Sequence, residues 1–212
     1  MVSGTSDVGF VHRYEPGASG VTLLLLHGTG GDENDLIPLG HAVAPGAALL
    51  SPRGQVLENG MPSFFRRLAM GVFDVEDLKR RTADLARFVG AAASHYGFDL
   101  RTTVALGYSN GANIGGSLLL SEPGLIRAAA LLHAMLPFRP EEPVGLAGTS
   151  VLITGGLDDP MIPRADTEEL ARILSESGAE VELELAPGGH QLTTAEVEKV
   201  HHWMARLFRD AA

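Results

Sequence analysis

Thr102-Thr103-Val104-Ala105-Leu106-Gly107-Tyr108-Ser109-Asn110-Gly111-Ala112-Asn113 decides how the rest of the chain is read. Its first half is a continuous apolar run, the pattern of a strand buried on both faces. Its second half opens a helical segment, ANIGGSLLLS. Between them stands Gly-x-Ser-x-Gly, which in a strand–turn–helix context is a nucleophile elbow. The serine sits on a strained turn, and glycine on either side removes side chains that would collide with strand or helix. The turn lifts the Ser109 hydroxyl above the sheet, at a helix N-terminus whose partial positive charge favours a developing oxyanion. In a chain with 26 Gly the five-residue pattern alone is weak, and its context carries the reading. Ser109 is the candidate nucleophile, and the backbone N–H of Asn110 is a candidate oxyanion donor.

Outward from this stretch, VTLLLL, AAALLH and SVLIT are further buried strands, and ALLSP from Ala48 is a shorter one. VELELA from Val181 alternates strictly, so it is expected near a sheet edge with one face toward solvent. Asp74 is placed to cap a helix with the stripe Leu78, Leu85, Phe88, Val89 and Ala92, ended by Gly97. Pro163 suits the first turn of a helix carrying Leu170, Ile173 and Leu174, stopped by Gly178. Thr193 and Glu196 form a capping box before Val197, Val200, Met204 and Leu207. The alternation runs end to end without repeat or linker, so residues 1–212 are read as a single α/β domain with a mostly parallel sheet and helices on both faces. Pro52 to Phe73 is the exception, long, turn-rich and weakly periodic, and such loops tend to be functional.

Composition bounds the answer. The 212 residues are 45% hydrophobic and 20% charged, the balance of a globular protein with room for a core. A net charge of -10 argues against nucleic acid as a partner, and no Lys/Arg cluster is present to hold an anionic membrane. The apolar runs are too short to span a bilayer, so no membrane insertion is expected. The chain has no Cys, which excludes disulfides, thiolate catalysis and Cys-based zinc sites. MVSGTSDVGF lacks a basic start and an apolar core, so it is not read as a signal peptide, and a cytoplasmic location is the expectation.

Three more motifs follow strands. His27-Gly28-Thr29-Gly30-Gly31-Asp32-Glu33 is a Gly-rich loop in which the N–H of Thr29 is the second candidate oxyanion donor, paired with that of Asn110. A dinucleotide fingerprint fails there, because Glu33 stands where the third glycine belongs and no strand-end acid follows at the right distance. His27 itself is read as structural. Gly155-Gly156-Leu157-Asp158-Asp159-Pro160 offers two acids to orient a histidine, and the D-P-x-x-P spacing favours Asp159 over Asp158. Pro187-Gly188-Gly189-His190 puts His190 on a glycine-flanked loop, free to reach the serine as general base. His133 ends a strand on the same face and, with Met135, is a candidate for the substrate pocket. Phe64 and Phe65 in the long loop are read either as an apolar acyl wall beside Arg66 and Arg67 or as plain loop packing. His201 and His202 are adjacent rather than four apart, no HExxH spacing occurs, and no metal or cofactor is assigned.

The order Ser109, Asp159, His190 is that of the α/β-hydrolases. The motifs together resemble the phospholipase/carboxylesterase family, and within it the small bacterial esterases. The blocks HGTGGDE, SPRG, FFRR, FD, GYSNGAN, GLDDPMIP and GH all stand here, from about Thr22 to Trp203. The resemblance implies an α/β-hydrolase fold without a large cap domain and the triad Ser109, Asp159 and His190. It implies hydrolysis of short-to-medium acyl esters without a cofactor, with thioesters and lysophospholipids as alternative substrates, often by a homodimer. A non-catalytic ligand-binding protein on the same fold is the remaining alternative. His133 departs from the subgroup pattern, where Arg is common, and leaves the leaving-group side of the pocket undefined.

Overall fold

The computed structural model of the chain describes residues 2–5, 9–69 and 71–209. In chain order its elements are β1 (Val2–Thr5), β2 (Val11–Glu15), β3 (Thr22–Leu26), α1 (Ile37–Val43), β4 (Ala48–Pro52), β5 (Val56–Glu58), β6 (Met61–Ser63), β7 (Arg67–Ala69), β8 (Val72–Phe73), α2 (Val75–Tyr96), β9 (Thr103–Tyr108), α3 (Asn110–Ser121), β10 (Ala128–Leu132), β11 (Ser150–Gly156), α4 (Arg164–Glu176), β12 (Glu180–Ala186) and α5 (Thr194–Arg209).

Eight strands form one sheet in the order β1-β2-β4-β3-β9-β10-β11-β12. From β4 to β12 every pairing is parallel, and β1 and β2 add an antiparallel edge. The apolar runs are continuous because both sheet faces are covered. On β3, Leu24 and Leu26 pack with Leu85 and Phe88 of α2, Ile114 and Leu118 of α3 and Leu170 of α4. Leu23 and Leu25 point the other way, to Ile37 and Val43 of α1 and Val200, Trp203 and Met204 of α5. The period of two along a strand thus feeds two separate cores. β12 lies at the open edge, and none of its side chains is fully buried, as its alternating polar sequence anticipates.

Helix punctuation follows the expected chemistry. Asp74 accepts from the N–H of Asp77 at 3.1 Å, the stripe from Leu78 to Ala92 is buried, and Gly97 closes α2 at φ 74° with its N–H on Ala93 O. Pro163 stands one residue earlier than the first turn and precedes Arg164, while Gly178 follows the end of α4 at φ 95°. Thr193 and Glu196 exchange the two capping-box bonds, at 2.9 and 3.2 Å.

The sequence reading assigns no element where β1, β2 and α1 lie, and it differs over Pro52 to Phe73. β2 was not expected, because two of its buried positions are His12 and Tyr14, which do not read as core. The segment from Pro52 to Phe73 is not an open loop but two antiparallel ribbons, β5–β6 and β7–β8. No described helix is long and apolar enough to cross a membrane.

Candidate active site

Most candidate residues lie in segments that follow the C-terminal end of a parallel strand: Thr29 after β3, Ser109 after β9, His133 after β10, Asp159 after β11 and His190 after β12, whereas Phe64 and Phe65 follow the antiparallel β6. Open α/β sheets form their ligand crevices at this edge.

The elbow is as tight as its glycines suggest. A Cβ on Gly107 would stand 2.5 Å from Gly111 O, and one on Gly111 would stand 1.9 Å from Leu26 O. Between them Ser109 takes φ 53° and ψ -114°, a conformation that costs a non-glycine residue about 1–3 kcal/mol. It is held there because its N–H donates to Leu132 O and its carbonyl accepts from Asn113 N–H, both at 2.9 Å.

The hydroxyl so presented meets His190. Ser109 Oγ lies 2.9 Å from His190 Nε2, and His190 Nδ1 lies 2.7 Å from Asp159 Oδ2. The Tyr108 hydroxyl donates to His190 O at 2.7 Å and pins the histidine loop to the end of β9. The Asp159 side chain is 1% exposed. Its Oδ1 accepts from the N–H groups of Met161 and Ile162 at 2.8 and 3.1 Å, so the proline-bounded turn fixes the carboxylate. Burial pushes the Asp159 carboxyl up, but the bonds from His133, His190 and Met161 outweigh it and hold it below the ordinary carboxylate range. Asp158 is exposed, its N–H donates to Gly188 O at 2.9 Å, and among the described residues no hydrogen bond or ion pair joins it to His190.

Around this line runs a cleft bordered by Phe73, Met135, Met161 and Ile162 on apolar sides and by Arg67, Asn110 and Asn113 on polar ones. Met135, a candidate for the substrate pocket, borders this cleft. Phe64, Phe65 and His133 are not in the cleft wall. Phe64 donates its N–H to Asn110 Oδ1, and its ring lies 4.7 Å from that of His27. Phe65 packs edge-on against Phe73 at 5.0 Å. The chain passes hard against Gly54 here, and both rings are buried in the core. His133 is 1% exposed and lies behind Asp159. His27 is the buried strut expected, donating to Gly28 O and accepting from Gly54 N–H, and burial lowers its pKa so that the neutral ring is favoured.

The loop carrying Thr29 is tied to β6 by Gly30 N–H to Pro62 O at 2.8 Å. Among the described residues, the Thr29 hydroxyl and the Asn110 side-chain amide nitrogen are buried without a partner. The backbone N–H of Asn110 starts α3 and has no intrahelical acceptor.

Sequence reasoning missed Glu196 as a member of this site, because its capping-box role accounted for it. His133, Asp159 and His190 place ligand atoms within 4.8 Å of one another, the spacing of a cation site. Asp159 Oδ2, however, already lies within hydrogen-bond distance of both imidazole Nδ1 atoms, so these three atoms are engaged with one another.

A sheet in this order, crossed by helices on both faces and topped by a serine elbow, is the α/β-hydrolase fold. A family model for phospholipase/carboxylesterase matches residues 17–208, and the chain belongs to that family. It is 48% identical over 192 residues to MhqD of Bacillus subtilis (strain 168), which bears a hydrolase name, covering 91% of this chain and 96% of that one. The Bacillus cereus carboxylesterase structure superposes with a TM-score of 0.89 at 48% identity over 92% of both chains. A carboxylesterase from Mesorhizobium loti gives 0.89 at 35% identity, covering 94% of this chain and 96% of that one.

Proposed function

We propose that the protein is a serine carboxylesterase that hydrolyses short-to-medium acyl esters through Ser109, His190 and Asp159. One observation carries this reading: the hydrogen-bonded line from Asp159 Oδ2 through both nitrogens of His190 to Ser109 Oγ, at 2.7 and 2.9 Å. With Nδ1–H donated to Asp159, Nε2 is the free base facing the hydroxyl. It takes the Ser109 proton as Oγ attacks the acyl carbon, then returns the proton to the leaving alcohol as the acyl-enzyme forms. Water enters, gives a proton to His190, attacks the acyl carbon, and the carboxylic acid departs as Ser109 recovers its proton. The N–H groups of Thr29 and Asn110 are the donors for the tetrahedral oxygen, and each such donor is worth about 2.7–4 kcal/mol. Phe73, Met135, Met161 and Ile162 supply an apolar wall for the acyl group. The carboxylesterase names of relatives at 48% and 35% identity support the same reaction.

Initial rates on p-nitrophenyl esters from acetate to palmitate, for wild type and Ser109→Ala, test the reading. A rate that peaks at short acyl chains and falls at least about 10³-fold in the variant is expected. Wild-type rates in Ser109→Ala would remove Ser109 as nucleophile.

A further inference from the structure

Behind the serine–histidine–aspartate line stands a second histidine between two carboxylates. His133 Nδ1 lies 2.9 Å from Asp159 Oδ2, the same oxygen that binds His190. Its Nε2 lies 3.0 Å from Glu196 Oε1, a close ionic contact without good hydrogen-bond alignment. Glu196 is itself fully engaged. Its Oε1 accepts from the Thr154 hydroxyl at 2.8 Å and its Oε2 from the Thr193 N–H at 2.9 Å. His133 takes φ 55°, unusual for a residue with a side chain, and its N–H is fixed on Thr154 O at 2.8 Å. Its ring also meets Tyr108 and His190 edge-on, with centroids 5.8 and 5.1 Å away. The titratable and charged groups facing it are therefore Tyr108 from β9, Asp159 after β11, His190 after β12 and Glu196 from α5. A ring whose two nitrogens both face carboxylate oxygens can satisfy both only as the doubly protonated cation.

We propose that His133, clamped between Asp159 and Glu196, is a positioning residue that supplies a buried cation to the catalytic line and holds Asp159 on His190. The inference rests on the triad reading above. Asp159 and Glu196 with one cation between them leave a single net negative charge in the cluster. The imidazolium that His190 becomes during acyl transfer cancels it. With His133 neutral, two uncompensated carboxylates would lie behind His190. One of them would face a nitrogen lone pair: Glu196 with the proton on Nδ1, or Asp159, which would lose one of its anchors, with the proton on Nε2. The direction of its titration agrees. Burial pushes the His133 pKa down, but the contacts to Glu196 and Asp159 overcome this and raise it.

The test compares wild type, Ser109→Ala, His133→Gln and Glu196→Gln on one short p-nitrophenyl ester, with kcat and KM across pH and thermal unfolding of each. Removing the cation should move the acid limb of kcat/KM to higher pH, and removing the distal carboxylate should move it to lower pH. Both substitutions should reduce kcat by roughly 10- to 100-fold, the scale on which misplacing a catalytic group acts, with KM little changed. A merely structural role would lower the melting temperature without moving the limb in opposite directions. Folded variants with wild-type kcat and limb position overturn the inference. If Ser109→Ala is inactive while the limbs stay fixed, the His133 inference alone fails. If Ser109→Ala is active, the triad reading fails and takes the inference with it. Imidazole nitrogen NMR on the wild type covers the case of an unfolded variant. At neutral pH both His133 nitrogens should carry protons, and a neutral-ring signature overturns the inference.

Discussion

At the scale of single residues, Leu26 O closes the space beside Gly111, 1.9 Å from where a Cβ would stand. The obstacle is backbone of the central sheet, which cannot swing aside as a side-chain tip can. Gly111→Ala is therefore expected to cost at least about 1–3 kcal/mol of stability, the usual range for forced overpacking. Urea unfolding checks it, and an unchanged midpoint would mean that the elbow has slack the geometry does not show. The same crowding explains why the site was largely readable from single letters. Gly107 and Gly111 mark where strand and helix cross, and that crossing fixes which serine is lifted clear. The prolines that set off Asp159 from Asp158 mark the turn whose N–H groups hold the carboxylate. Glu196 had no such mark. A capping glutamate reads identically whether or not its second oxygen reaches a buried histidine, and only the tertiary fold brings β10 to that helix end.

At the scale of elements, legibility followed length and burial. β3, β9, β10 and β11 were evident because strands covered on both faces must be continuously apolar. The three-residue strands β5 to β7 are too short for a period to register. Yet Asn59-Gly60 carried the one local signal that could have found the first ribbon, an Asn-Gly hairpin turn. Both residues have positive φ, 51° and 81°. A Cβ on Gly60 meets nothing within 4 Å, so Gly60→Ala pays only the backbone penalty of about 1–2 kcal/mol. Its effect should be local. β6 holds the loop of the candidate oxyanion donor through Pro62 O and Gly30 N–H, so a frayed ribbon loosens that loop first. Hydrogen exchange at the Gly30 amide should quicken more than exchange at amides of β9, whereas uniform quickening would show that the ribbon acts only through global stability.

At the scale of the molecule, the buried network ties β9, β10, β11 and α5 together through charge, and its stability has a definite pH window. Burial raises the Glu196 carboxyl, but the contact with His133 and the bonds from Thr193 and Thr154 bring it down from the ordinary 4.5 to about 2. The unfolded chain then binds that proton more readily, so the contribution is complete above about pH 4.5 and is lost as pH falls toward 2. Asp159, held below its ordinary 3.8, acts in the same sense. His133 has the opposite sign: with its pKa raised from 6.5, its contribution is complete below that value and is lost as pH rises through the raised one. His27, lowered from 6.5 by burial, opposes it by favouring the fold at higher pH. The Asp159–His133–Glu196 array therefore stabilises most between about pH 4.5 and 6.5. Urea unfolding of wild type and Glu196→Gln at a series of pH values isolates this contribution, since Gln keeps the size and the cap while removing the titration. The gap in stability should be widest in that window and close as the carboxyl protonates below it. A gap that stays constant down to the acid limit of the fold would mean that Glu196 is not held ionised by His133, and that the network stabilises by shape rather than by charge.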